Sequence, residues 1–203
     1  MELAQAEEVI GRLYSQVSGQ AISLAEQKRM GREEDATTYG EVRAASVHEL
    51  LSAVVPREGE NFIDLGSGLG SATLAAALLF PFRRLVGVEL LTGLGDAARR
   101  ALGRYDAEVR PQLSELHQQQ HIEFLDGDLL EVDLSDIDVV FSQALCFDAE
   151  LMAKMAERLE TLKSGARVVL VGHQLPARSF TQLGIKVMRA NWGTSLTWVY
   201  QRD

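Results

Sequence analysis

The sequence predicts an α/β fold: a mostly parallel sheet covered on both faces, closed by an antiparallel strand and preceded by helices. Three observations predict it. From residue 61 onward, short apolar runs alternate with helical stretches, the order that builds a parallel sheet with helices on each side. The first run, Asn61-Phe62-Ile63, passes through Asp64-Leu65-Gly66-Ser67-Gly68-Leu69-Gly70 into a helix of small residues. Strand, glycine turn and helix is how a nucleotide-bearing ligand is held, because glycine lets backbone approach where a Cβ would collide. The chain then closes on two β-rich runs around Asn191-Trp192-Gly193, which reads as a turn.

Taken in order, residues 2–30 read as helix, with Val9, Leu13 and Val17 repeating at i+4 beside Ile10 and Tyr14. A charged loop around Gly31 follows, then Thr38-Tyr39-Gly40-Glu41, then a helix over about 42–54 that Pro56 and Gly59 break. Strands are expected at 61–65, 84–88, 121–125, 137–141 and 166–171, with a helix from Ser71 and a helical region over 93–118 interrupted near Pro111. A helix over 148–163 carries Leu151, Met155, Leu159 and Leu162 on one face. The final runs are Ile185 to Met188 and Leu196 to Tyr200. The chain divides into residues 1–58, a helical segment with a loop that closes over the ligand, and residues 59–203, the ligand-binding core.

The 203 residues suffice for one domain with a full core, and 46% hydrophobic with 24% charged residues is an ordinary globular balance. A net charge of −9, from 29 acidic and 20 basic residues, argues against unaided binding to a phosphate backbone and suits a basic protein partner. The single cysteine, Cys146, excludes an internal disulfide, fits a reducing intracellular compartment and is expected to be a small buried hydrophobe. No basic and apolar leader and no run of about 18 apolar residues is visible, so neither secretion nor a membrane span is expected. The four histidines, His48, His117, His121 and His173, show no ligand spacing, so no metal site is expected.

Four features fall at the carboxyl ends of successive strands, where an open α/β sheet places its ligand. The first is the glycine turn, Gly66, Ser67, Gly68 and Gly70, led by Asp64. A carboxylate at that strand tip suits a ligand with a positive amino group, which a diphosphate lacks. This tilts the reading from NAD to S-adenosyl-L-methionine, and the terminal hairpin supports it, since a dinucleotide fold continues with another parallel unit. The second is Glu89, about 20 residues beyond the turn, where a carboxylate grips ribose hydroxyls. The third is Asp126-Gly127-Asp128-Leu129, with Asp128 placed for an adenine amino group and Leu129 for the ring. The fourth is Ser142-Gln143, beside the reacting centre. Each is weak alone; their joint placement is the signal.

With Tyr39-Gly40-Glu41 upstream, the chain resembles the DOT (disruptor of telomeric silencing) family of histone-lysine methyltransferases, the class without a SET domain. The resemblance runs from about residue 30 to 201. Its carriers are Thr38 to Glu41, Asp64 to Gly70, Gly87-Val88-Glu89, Gly127-Asp128-Leu129, Val139 to Phe147, and Trp192-Gly193 with Trp198 and Tyr200. It implies a three-layer Rossmann-like class I methyltransferase sheet, S-adenosylmethionine as cofactor and a histone or another basic protein as substrate. It implies nuclear action where that substrate is a histone and cytoplasmic action otherwise. By the resemblance, Tyr39 and Glu41 close over the methionine end of the cofactor and Asp64 and Gly66 contact its amino acid. Glu89 takes the ribose, and Asp128 with Leu129 the adenine. Gln143 falls on an active-site asparagine, Phe147 on a nearby aromatic and Trp198 near an aromatic of the lysine channel. The chain departs from the family where paired asparagines become Gln143-Ala144, where Leu129 replaces an aromatic, and where a basic DNA-gripping extension is absent before Asp203. Tyr39, Gln143, Phe147 and Trp198 are the catalytic candidates, with no residue suited to be a general base. The alternatives are a small-molecule methyltransferase on the same scaffold and an inactive cofactor-binding regulatory subunit.

Overall fold

The computed structural model describes residues 1–29, 42–176, 178–190 and 193–203. Seven strands form one sheet: β1 (Asn61–Leu65), β2 (Arg84–Glu89), β3 (His121–Asp126), β4 (Val139–Gln143), β5 (Arg167–Val171), β6 (Phe180–Ala190) and β7 (Gly193–Arg202). Their order is β3-β2-β1-β4-β5-β7-β6. β1 to β5 run parallel; β7 is antiparallel to β5, and β6 to β7. The expected parallel sheet with an antiparallel end is present, with the last strand, β7, inserted between β5 and β6.

Among the described residues seven helices accompany the sheet: α1 (Leu3–Tyr14), α2 (Gly19–Arg29), α3 (Ala44–Ser52), α4 (Ser71–Leu79), α5 (Thr92–Arg104), α6 (Glu115–Gln118) and α7 (Ala149–Leu159). α4 is buried on nearly every side. Its run of alanines and leucines suits a helix held between the sheet and other helices, because a helix apolar all round must be enclosed. One apolar cluster joins Leu74 and Leu78 of α4 to Ile10 and Leu13 of α1, Leu50 and Leu51 of α3, and Ala98 of α5. The opposite cluster sets Met152, Met155 and Leu159 of α7 against Ile63, Val140 and Leu170. Helices α1 and α3 therefore share their core with α4 and the sheet.

Several expectations shift. The first helix is two: Ser18 Oγ accepts from the Ala21 amide at 3.2 Å and starts α2 afresh. Strand β4 begins at Val139, two residues later than its apolar run suggests. Ile137 is still in a turn to Leu134, and the Asp138 carboxylate accepts from the Asn61 amide at 2.9 Å. On α7 it is Met152, not Leu151, that is buried with Met155 and Leu159. Leu151 is instead turned to a cavity. Cys146 is exposed, not buried. Beyond α5 the chain continues as one turn of π-helix at 105–109 and a 3₁₀ turn at 110–112, where Pro111 stands. No helix among the described residues is long and apolar enough to cross a membrane.

Candidate functional site

Strand order reverses between β1 and β4, and the crevice outside their carboxyl ends is where an open sheet takes a ligand. A cavity of about 590 Å³ lies there. Its floor is the glycine turn. Gly66, Gly68 and Gly70 have φ of +82°, +55° and +75°, which side chains with a Cβ rarely adopt. The turn is tied to β2, since the amides of Gly66 and Ser67 both donate to the Val88 carbonyl at 2.9 Å. It is tied to α1 as well, since the buried Tyr14 hydroxyl donates to the Leu69 carbonyl at 2.8 Å.

Of the residues singled out from sequence, Asp64, Gly66, Ser67, Gly68, Glu89, Asp128, Leu129, Gln143 and Phe147 all line this one cavity. Gly66 and Phe147, distant in sequence, meet: a Cβ on Gly66 would lie 3.3 Å from Phe147 Cζ. Gly70 does not line the cavity. Its left-handed conformation starts α4, and a Cβ there would strike the Phe124 ring. Trp198 is also outside the cavity. It sits on β7 opposite Leu170, buried in the apolar cluster under α7 with Tyr200, whose hydroxyl accepts from the Leu175 amide. The Trp198 Nε1 is buried without a hydrogen-bond partner among the described residues. Tyr39 and Glu41, with Trp192, lie outside the described residues.

The electrostatics of the floor are those of a site for a cation. Asp64 is 2% exposed and accepts from Thr73 Oγ1 at 3.0 Å. Burial pushes its carboxyl up to about 7, against the pull of the Thr73 bond and with a further push from Glu89. Glu89 is also raised, first by burial, although the amides of Leu91, Gly68 and Leu90 oppose this. Its carboxylate clasps two elements, accepting from Gly68 N at 2.8 Å and Leu91 N at 2.9 Å. Two buried carboxyls on one cavity favour a ligand that brings positive charge. Asp128 spends one oxygen on its own turn, accepting from the Leu130 amide at 2.9 Å. Ser67 lines the cavity, but its Oγ is buried against β2, where a Cβ on Gly87 would lie 2.8 Å from it, and has no partner among the described residues.

Sequence reasoning missed one wall. Gln20, Ser23, Leu24 and Gln27 of α2 line the cavity. The signal was present in their spacing: 20, 23, 24 and 27 is the stripe of one helical face, here mostly polar where an amphipathic helix carries its core residues. The rim missed on α7 includes Glu150, Leu151 and Lys154, with Lys154 Nζ 2.6 Å from Glu150 Oε1.

The family described as histone methylation protein DOT1 matches residues 17–191. A Drosophila melanogaster protein described as histone-lysine N-methyltransferase, H3 lysine-79 specific, is 27% identical over 158 residues, which is 75% of this chain and 8% of that protein. A protein of the same description from Debaryomyces hansenii is 26% identical over 167 residues, 80% of this chain and 14% of that one. The chain thus spans a small part of the length of these curated relatives. Among solved structures, an RNA methyltransferase from Salinibacter ruber in complex with S-adenosyl-L-homocysteine superposes with a TM-score of 0.56 at 22% identity, over 80% of this chain and 95% of that one. At that identity the likeness is one of fold.

Proposed function

The chain belongs to the histone methylation protein DOT1 family, and from that premise we propose that it is an S-adenosylmethionine-dependent protein-lysine N-methyltransferase acting on a core histone or another basic protein. The observation that carries the reading is the gathering of Asp64, the glycine turn, Glu89, Asp128, Gln143 and Phe147 on one cavity. The residues present fit the cofactor. The buried carboxyls of Asp64 and Glu89 suit a ligand with a positive group. The left-handed glycines leave the floor without side chains above Gly66 and Gly68.

In this reading Asp64 holds the amino group of the cofactor, Glu89 its ribose, and Asp128 with Leu129 its adenine. The bound cofactor supplies an activated methyl group on a sulfonium. What the chain must do is deliver a neutral amine in line with that methyl and keep water away. Phe147 and Leu145 form apolar wall beside Gln143 at the end of β4. An apolar passage lowers the pKa of a lysine by desolvation, so the amine sheds its proton to solvent on the way in. The Gln143 carbonyl orients the amine, and no general base is assigned. Segment 1–58 closes the site, and residues 59–203 hold cofactor and catalytic groups. Tyr39, Glu41 and Trp198 keep their parts in this proposal on the resemblance alone. Nuclear action follows where the substrate is a histone.

Calorimetry with S-adenosylhomocysteine tests the cofactor: saturable binding is expected, and no heat at high micromolar ligand would remove the reading. Radiolabelled methyl transfer onto free histones, nucleosomes and lysate tests the substrate. Label in a protein band is expected, whereas label only in the small-molecule fraction would replace the protein substrate with a small one.

A further inference from the structure

Strand β4 delivers Gln143 to the cavity, and the chain then turns over residues 144–147 before α7 begins. The ladder to β5 ends with Gln143 opposite Val171, and the Ala144 amide adds one more bond to the Val171 carbonyl at 3.0 Å. The Phe147 amide donates to the Ala144 carbonyl at 3.0 Å and closes the turn. Asp148 then caps α7 by accepting from the Leu151 amide at 2.8 Å. Leu145, Cys146 and Phe147 of the turn all line the cavity.

The two large apolar side chains of the turn part company. Leu145 packs against the cluster of α1, α3 and α4, and Phe147 against that of α7. Each meets a left-handed glycine. Phe147 abuts Gly66 on the cavity floor, with Cζ 3.3 Å from where a Cβ would stand. Leu145 meets Gly172, the residue after β5, more closely. A Cβ there would lie 2.8 Å from Leu145 Cδ2, 3.2 Å from Cγ and 3.1 Å from Cα. A side-chain end can rotate away, but Leu145 Cα cannot move without the turn. Gly172 also has φ of +99°, and its amide leaves β4 to donate to the Leu196 carbonyl of β7 at 2.9 Å. It does not line the cavity itself.

We propose that Gly172 is a positioning residue for methyl transfer: the space it leaves for Leu145 fixes the 144–147 turn, and with it the apolar passage beside Gln143. This deepens the methyltransferase reading and rests on it. Transfer needs the amine in line with the methyl group, and a shift of about 1 Å in the wall that guides it is enough to cost most of the rate. The groups proposed to hold the cofactor, Asp64, the glycine turn and Glu89, stand on β1 and β2, with β4 between them and β5. Gly172 therefore acts on turnover and not on cofactor affinity.

The test compares Gly172→Ala with Gly165→Ala in the whole chain. Gly165 has φ of +81° with nothing within 4 Å of its Cβ position, so it carries the backbone strain without the collision. Three quantities are read: radiolabelled methyl transfer to free histones, calorimetry with S-adenosylhomocysteine, and the rate at which dithiobisnitrobenzoate reacts with Cys146. Cys146 is the chain's single cysteine and is exposed in the turn. Gly172→Ala is expected to lower kcat about 10- to 100-fold with Kd for S-adenosylhomocysteine within about threefold. It should also change the Cys146 rate about threefold or more, because access governs thiol reaction. Gly165→Ala should leave all three within about threefold, since nothing stands where its Cβ would go. Leu145→Ala removes Cγ and Cδ2, so in that background the cost of Gly172→Ala in kcat should shrink to about threefold or less. That pair also decides the matter where Gly172→Ala alone does not fold. Equal losses of kcat in the two glycine variants, an unmoved Cys146 rate, a parallel loss of cofactor affinity, or a full loss persisting without the Leu145 side chain would overturn the positioning role. Absence of label with the wild-type protein would instead remove the methyltransferase reading beneath it, and the Cys146 rates would still show whether Gly172 sets the turn.

Discussion

Asp64 shows how much chemistry one buried carboxyl can carry. It lies at the end of a strand whose five residues are all buried, so burial raises it to about 7. Its folded value is above its unfolded value near 3.8, so the stability it contributes is full below that and is lost as pH rises through about 7. A cofactor ammonium reverses this by favouring the carboxylate. Binding therefore releases a proton below pH 7, and Kd for S-adenosylhomocysteine should be about tenfold weaker at pH 6 than at pH 8. Calorimetry across that range checks it, and Asp64→Asn should abolish the pH dependence while weakening binding throughout. Gln143 calls for a different outcome, because it is proposed to act on the amine and not on cofactor affinity. Gln143→Ala should lower kcat about 10- to 100-fold with Kd for S-adenosylhomocysteine within about threefold, read by methyl transfer and calorimetry on the same preparation.

At the scale of the element, the turn between β1 and α4 separates glycines that face the ligand from one that builds the frame. Gly66 and Gly68 line the cavity, whereas Gly70 starts α4 in a left-handed conformation against Phe124 and Ala98. Gly70→Ala combines an unfavourable φ with a ring collision and should cost about 2–4 kcal/mol of stability, measured by denaturant unfolding. Sequence spacing alone would give all three glycines one role. β1 was legible to the residue, because Phe62, Ile63 and Leu65 stand between the Pro56 and Gly59 break and a glycine turn. β4 was not, because Ile137 resembles the start of its apolar run while its amide is committed to a turn with Leu134, and Asp138 is tied to Asn61 through both its amide and its carboxylate. The break between α1 and α2 was hidden because Val9, Leu13 and Val17 keep the helical period across it; Ser18 and Gly19 were the overlooked punctuation. The strand-tip residues of the site were readable because the fold forces them to one crevice. The wall on α2 was not, because nothing local says which neighbour a polar helical face will meet.

Over the whole molecule, charge is unevenly spread. The net charge is −9, yet no acidic residue lies between Glu160 and Asp203. Among the described residues, Asp64, Glu89, Asp128, Asp148 and Glu150 line the cavity, against the single cation Lys154. Such a distribution attracts a basic protein to the side where the cofactor is proposed to sit, and salt weakens that attraction. The initial rate on free histones should fall about fivefold or more between low and physiological-to-high salt, with Kd for S-adenosylhomocysteine unchanged across the same series. A parallel loss in both would place the salt effect on the cofactor site. In the proposed reading the sheet and the helices around it hold the cofactor and leave the rim to the substrate. The most direct measurement is tandem mass spectrometry of histones and nucleosomes incubated with the protein and S-adenosylmethionine. Methyl groups on lysine side chains, lost with Gln143→Ala, are expected. Methylation of other residue types only, or of a small molecule and no protein, would contradict that.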